Sequence, residues 1–135
     1  MIRKLSHLGI AVNDLEAAIR LYRDVFGLEP EHRWVARADR MKAAAFRVGD
    51  LEIELMQPLE EDSPVGKFIA KRGEGIHHIA YKVDDVADAL HRARAAGLET
   101  IDQEPREGGD GHTKVGFLHP RSTMGVLTEL EEDVG

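Results

Sequence analysis

Two stretches of the chain resemble each other, and histidine and glutamate recur at equivalent places in them. His7 begins residues 7–15 and His78 begins the similar residues 78–86, at an offset of 71. Farther along, Glu54 and Glu129 each precede a leucine, at an offset of 75. Imidazole nitrogen and carboxylate oxygen suit a divalent ion of intermediate hardness: manganese, iron, cobalt, nickel or zinc. The repeat therefore predicts one metal site with two histidine and two glutamate ligands.

This ligand set is typical of a catalytic ion. Four protein ligands on an octahedral ion leave two positions for substrate oxygens or water, as Lewis-acid catalysis requires. His77 competes with His78 for the second histidine position. We favour His78 because it lies five residues before a valine, as His7 does. Alternation along a strand would also turn His77 to the other face.

Each half of the chain has the pattern of a strand, a helix and then further strands. Apolar alternation predicts a strand over residues 5–12, followed by a helix that Asp14 and Gly27 cap. In the second half Asp84 or Asp85 begins the helix. The remaining predictions are strands 42–48, 51–56, 113–118 and 125–131, a short helix 63–72 and a loop 105–112. We therefore expect two modules, about 1–70 and 71–135, in a single domain of residues 1–135.

The composition limits the classes of function. The chain has 135 residues, a formal charge of -7, 42% hydrophobic residues and no cysteine. The missing cysteine excludes a disulfide framework and thiolate metal sites. The acidic balance argues against a nucleic-acid partner, and no apolar run is long enough to cross a membrane. We expect a cytoplasmic protein that binds neither nucleic acid nor membrane.

The double histidine His77-His78 and the segment His119-Pro120-Arg121-Ser122 carry a resemblance to a known family. Together with residues 7–12, 52–59 and 125–130, they resemble the vicinal oxygen chelate superfamily, which includes glyoxalase I, extradiol dioxygenases and fosfomycin-resistance proteins. Within it, the chain is most similar to the methylmalonyl-CoA epimerases, nearly end to end. The resemblance implies an α+β fold, in which two tandem βαβββ modules form a curled mixed sheet around a metal site. It also implies a homodimer.

The resemblance further implies an isomerase that interconverts (2R)- and (2S)-methylmalonyl-CoA through an enolate. Carried over residue by residue, the metal ligands are His7, Glu54, His78 and Glu129. The ion expected from the family is Co²⁺ or Mn²⁺, with Ni²⁺ or Zn²⁺ as alternatives. Glu129 is also the candidate catalytic acid/base, because a carboxylate ligand can swing between the ion and a proton.

The second acid/base group is where the resemblance weakens. Inversion at carbon needs a proton removed from one face and returned on the other. Some family members have a glutamate in the third strand, and the alignment places Ala43 at that position. Alanine transfers no proton, so either a water or another side chain acts, or the reaction differs.

Other side chains are candidates for substrate contacts. His119 and Ser122 are expected to hydrogen-bond a substrate carboxylate, and Lys71 to meet the phosphates of CoA. Lys42, next to Ala43, is a further substrate-binding candidate. Trp34 is interpreted as a packing residue.

Three other functions remain open from the sequence. A glyoxalase I-type lactoylglutathione lyase uses the same ligand set and the same proton transfer on a hemithioacetal. An extradiol dioxygenase is less consistent, because it needs two histidines and one carboxylate around iron. A metal-free binding protein of the bleomycin-resistance type lacks the four ligands that the repeat places here.

Overall fold

The computed structural model describes residues 1–109 and 111–134 of the chain. Asp110, within the predicted loop 105–112, lies outside the described residues. In chain order the elements are β1 (Ile2–Ala11), α1 (Leu15–Phe26), β2 (His32–Ala36), β3 (Met41–Val48), β4 (Leu51–Pro58), α2 (Pro64–Arg72), β5 (Gly75–Val83), α3 (Val86–Ala95), β6 (Arg106–Glu107), β7 (Thr113–Leu118), a 3-10 helix (Pro120–Ser122) and β8 (Thr128–Asp133). No helix in the described part of the chain is long and apolar enough to cross a membrane.

This order confirms the predicted α+β class with two βαβββ modules. The first module comprises β1, α1, β2, β3 and β4, and the second comprises β5, α3, β6, β7 and β8. The chain divides into two compact units, residues 7–77 and residues 1–6 with 78–135. That both modules share a single domain stays a prediction.

In the unit of residues 7–77 the strands follow the order β2-β3-β4-β1. β4 pairs antiparallel with β3 and parallel with β1, so the last strand of the module lies beside its first. The β3–β4 hairpin turns at Gly49, whose φ of 61° lies in the left-handed region that favours glycine. One face of this sheet packs on α1 through Leu15, Ile19 and Phe46. The opposite face packs in part on α2, where Val65 is buried against Ala43 and Met56.

In the unit that contains residues 78–135 the strands follow the order β5-β8-β7-β6. The last strand, β8, again pairs parallel with the first, β5. α3 covers one face, where Val86 and Leu90 are fully buried against Leu118 and Leu130. In each module, the helix between the first two strands therefore covers only one face of the sheet.

The helix boundaries follow the capping residues. The Asp14 carboxylate accepts a hydrogen bond from the backbone N–H of Ala17 at 3.1 Å, and Gly27 ends α1 in the left-handed conformation, as predicted. Asp85, rather than Asp84, caps α3, by accepting from the N–H of Asp88 at 3.0 Å.

Candidate metal centre

In the unit of residues 7–77, β1 and β4 bring His7 and Glu54 together. These strands are parallel neighbours, and Glu54 is in register with Gly9, two residues beyond His7 on the same face. Nε2 of His7 lies 3.5 Å from Oε2 of Glu54, with 3% of the histidine side chain and 15% of the glutamate side chain exposed. The pair is thus largely shielded from water.

In the unit that contains residues 78–135, β5 and β8 do the same for His78 and Glu129. Glu129 is in register with Ala80, two residues beyond His78. Nε2 of His78 lies 3.1 Å from Oε1 of Glu129, and both side chains are buried. The Phe117 ring stands edge-on to the His78 imidazole, with 5.9 Å between ring centroids. This contact restricts the orientation of the imidazole.

The two pairs have the same construction. In each, a parallel strand pair places the glutamate beside the residue two positions after the histidine. In each, Nε2 approaches a carboxylate oxygen. A buried carboxylate without a compensating cation is costly, and nitrogen with carboxylate oxygen is a donor set that divalent transition metals accept. Each pair therefore fits half of the predicted ligand set.

Sequence comparisons place this arrangement in a family. Residues 6–117 match the model of the Glyoxalase/Bleomycin resistance protein/Dioxygenase superfamily. The chain belongs to this superfamily. The matched range contains His7, Glu54 and His78, whereas Glu129 lies beyond it.

Individual members of the superfamily are similar over nearly the whole chain. An ethylmalonyl-CoA/methylmalonyl-CoA epimerase of Cereibacter sphaeroides is 38% identical over 98% of this chain and 99% of its own. An uncharacterized protein of Bacillus subtilis is 37% identical over 99% of this chain and 95% of its own. A variant of Streptomyces coelicolor methylmalonyl-CoA epimerase, solved in complex with 2-nitronate-propionyl-CoA, is 36% identical, with a TM-score of 0.95 over 100% of this chain and 97% of its own. The glyoxalase-like fold is therefore established for this member.

Ala43 takes the position at which the resemblance to the family implied a glutamate in some members. Its neighbour at two residues, Ala45, is directly opposite Glu54, so Ala43 shares the face of that glutamate. Ala43 is 1% exposed. Lys42 is in register with Gln57 and therefore lies on the opposite face from Glu54. The structure thus brings no side chain of β3 that transfers protons onto the face of Glu54.

His119 and Ser122 organise the 3-10 helix after β7. Nδ1 of His119 accepts a hydrogen bond from the backbone N–H of Arg121 at 3.0 Å, so a neutral imidazole carries its proton on Nε2. The hydroxyl oxygen of Ser122 accepts from the backbone N–H of Glu99 at 2.8 Å, which leaves its own O–H to donate. Both side chains therefore order the turn and retain one donor each.

The remaining predicted contact, Lys71, is exposed in the last turn of α2. A cation is favourable there because the carbonyl end of a helix carries partial negative charge. The neighbouring Arg72 guanidinium lies 5.9 Å from the centroid of the Phe68 ring. This position suits a surface contact with an anion, but it is equally typical of a solvated helix end.

Three further side chains on the Glu129 face form a charged network that the sequence prediction missed. Lys82 Nζ donates to Oε1 of Glu131 at 2.7 Å and to Oδ1 of Asp133 at 2.8 Å, and the Ser6 hydroxyl also donates to Glu131. Burial lowers the pKa of Lys82, but the hydrogen bonds and negative charges of Asp133 and Glu131 outweigh it, so the pKa is raised. Two signals were available in the sequence. Glu131 and Asp133 follow Glu129 at intervals of two residues on β8, and Lys82 follows His78 by four residues on β5.

A second group of possible ligand atoms, from Glu31, His32 and Glu52, lies near the surface. The guanidinium of Arg47 lies 3.5 Å from a carboxylate oxygen of Glu31 and 3.7 Å from one of Glu52. The Arg47 guanidinium already offsets the negative charge of these two carboxylates, so we assign no metal to this group.

Proposed function

We propose that this protein is a metal-dependent methylmalonyl-CoA epimerase, which interconverts the (2R) and (2S) forms of its substrate. The observation that carries the proposal is the pair of matched His–Glu groups, one in each module. Similarity to methylmalonyl-CoA epimerases along nearly the whole chain supports the substrate class, an acyl-CoA.

In this proposal His7, Glu54, His78 and Glu129 hold a single divalent ion, Co²⁺ or Mn²⁺ in the first place and Ni²⁺ or Zn²⁺ as alternatives. The duplication supports a shared ion, because each module supplies half of a four-ligand set. When bound, the ion supplies fixed positive charge for the negative oxygen of an enolate.

The chain's own residues then manage the proton. The C–H bond at the α-carbon breaks, its electron pair stays in the enolate, and the proton passes to a carboxylate oxygen of Glu129. Return of a proton to the opposite face gives the other epimer. Because Ala43 transfers no proton, this second transfer is left to an ordered water or to another side chain.

Substrate contacts complete the proposal. The Nε2–H of His119 and the hydroxyl of Ser122 donate to the substrate carboxylate, which their remaining donors support. Lys71 contacts a CoA phosphate, and Lys42 stays a prediction for substrate binding. The single-domain organisation, the homodimer and the cytoplasmic location also stay predictions.

The direct test is incubation of one epimer of methylmalonyl-CoA in deuterated water with metal-loaded protein. The expected result is deuterium at the α-carbon together with loss of stereochemistry. Turnover of the glutathione–methylglyoxal hemithioacetal without such exchange would instead favour the glyoxalase I alternative. The protein would also be grown and purified in the presence of each of the four ions. Absence of stoichiometric metal in every case would contradict both enzymatic proposals and favour a binding protein.

A pair of variants tests the assignment of Glu129. Glu129→Gln removes an acid/base group and a charged ligand atom, so we expect a loss of about 10²–10⁴-fold in kcat. Lys71→Ala removes one exposed cation, so we expect at most about a tenfold change, mainly in KM. Steady-state epimerisation rates measure both. Equal and mild effects would mean that Glu129 is not at the reacting centre.

A further inference from the structure

The indole of Trp34 on β2 holds a buried hydrogen-bond donor without an acceptor. Its Nε1 is shielded from solvent and has no partner among the described residues. An indole N–H only donates, and a buried tryptophan usually finds an acceptor. Leaving the donor unpaired costs stability, a cost that an aromatic side chain without an N–H would avoid. The N–H is therefore a feature that packing alone does not explain.

Trp34 lies on the face that carries the His7–Glu54 pair. In register, Trp34 is opposite Ala43 and Ala45 is opposite Glu54, so alternation places all four residues on one face. β2 and β4 are two strand spacings apart, about 10 Å. Between them β3 contributes only the methyl groups of Ala43 and Ala45 at these positions. No long β3 side chain therefore separates the indole from Glu54.

The indole is held in place by its surroundings. It stacks on the His32 ring with 4.8 Å between centroids, and it packs against a buried cluster that includes Ala36, Met41 and Met56. A donor fixed by packing loses little freedom when it binds an acceptor, which favours a role in recognition.

We propose that the Trp34 indole N–H donates a hydrogen bond to the carboxylate of the acyl group of the substrate. The proposal rests on the proposed function, in which the acyl group of the substrate carries a carboxylate beside the thioester. A carboxylate accepts several hydrogen bonds, so the indole N–H acts alongside the donors of His119 and Ser122. A charged acceptor forms the stronger hydrogen bond with an N–H, so Trp34 selects acyl-CoA substrates that carry this carboxylate.

The chain has one tryptophan, so replacing all tryptophan changes only Trp34. We would incorporate 3-benzothienylalanine, in which sulfur replaces the indole N–H with little change of shape. The probe is 2-nitronate-propionyl-CoA, whose two nitronate oxygens stand in for the carboxylate, bound to Zn²⁺-loaded protein. We expect its Kd to rise about tenfold or more in the substituted protein. Propionyl-CoA, which lacks the carboxylate, should bind both proteins equally.

The indole resonance of the unmodified ¹⁵N-labelled protein gives a second readout that does not depend on activity or on the substitution. We expect one indole N–H signal, which moves downfield when 2-nitronate-propionyl-CoA binds and stays in place with propionyl-CoA. Equal Kd values for both proteins with an unmoved resonance would overturn the role of Trp34 and leave the proposed function standing. Failure of the protein to bind either acyl-CoA would overturn both.

Discussion

Replacing Lys82 by methionine tests the buried charge network of β5 and β8. Lys82→Met keeps the length and the apolar stem of the side chain but removes the ammonium group. The buried Glu131 would then lose the hydrogen bond and the charge of the ammonium group and keep the hydrogen bond from the Ser6 hydroxyl. We expect the folded state to lose free energy because a buried carboxylate loses its counter-charge.

The size of the effect follows from the exposure of the partners. Breaking a fully buried ion pair costs about 3–5 kcal/mol, and an exposed pair contributes about 0–1 kcal/mol. The Lys82 and Glu131 side chains are 16% and 10% exposed, whereas the Asp133 side chain is 78% exposed. Because the Lys82–Glu131 pair is slightly exposed, we expect a loss around and just below the lower limit of the buried range, about 2–4 kcal/mol, nearly all of it from Glu131.

Urea unfolding from pH 7 to pH 11 would measure this loss and its pH dependence. The raised pKa of Lys82 means that the folded state binds this proton more tightly than the unfolded chain. The stabilisation is therefore complete below about pH 10, near the ordinary lysine pKa, and decreases as pH rises through the raised value. The difference between the wild type and Lys82→Met should shrink in the same range.

A matched control uses the exposed helical pair of Arg92 and Asp88, whose side chains are 64% and 52% exposed. Arg92→Met should cost about 0.3–0.5 kcal/mol. A double-mutant cycle of Lys82→Met with Glu131→Gln should give a coupling energy of about 1–3 kcal/mol. If Lys82→Met costs no more than Arg92→Met, or if its effect does not change above pH 10, the argument from the buried counter-charge is refuted.

Two further predictions concern the ligands and the second module's core. His7→Ala should lower metal stoichiometry, measured by elemental analysis, far more than Glu54→Gln, because the amide oxygen of glutamine still coordinates a cation. Equal losses would show that the amide oxygen does not replace the carboxylate, and unchanged stoichiometry in both variants would contradict both residues as ligands. Gly116→Ala should destabilise the protein by about 1–3 kcal/mol in thermal or urea unfolding, since its Cβ would lie 2.8 Å from Cδ1 of the fully buried Leu90, and an unchanged midpoint would contradict this packing.

Local signals made much of the fold and the half-sites predictable from the sequence. Asp14 and Gly27 cap the two ends of α1 as expected, because capping depends on residues only a few positions apart. The repeat pointed to His7 with Glu54 and to His78 with Glu129, and each pair is adjacent in its own module. Because the two modules repeat, a comparison of their short matching segments was enough to pair residues that are distant in the sequence. These pairs were therefore predictable without a structure.

What only the tertiary structure decided is which polar atoms are satisfied. The sequence assigned Trp34 to packing, and its unpaired Nε1 emerged only from the atoms around it. Likewise, the contacts of Lys82 join β5 to β8 across 49 and 51 residues of chain. Residue type and spacing determine which groups can donate or coordinate. Whether a donor meets an acceptor depends on every segment packed around it, so the pairing of His7 with Glu54 was predictable and the isolation of the Trp34 N–H was not.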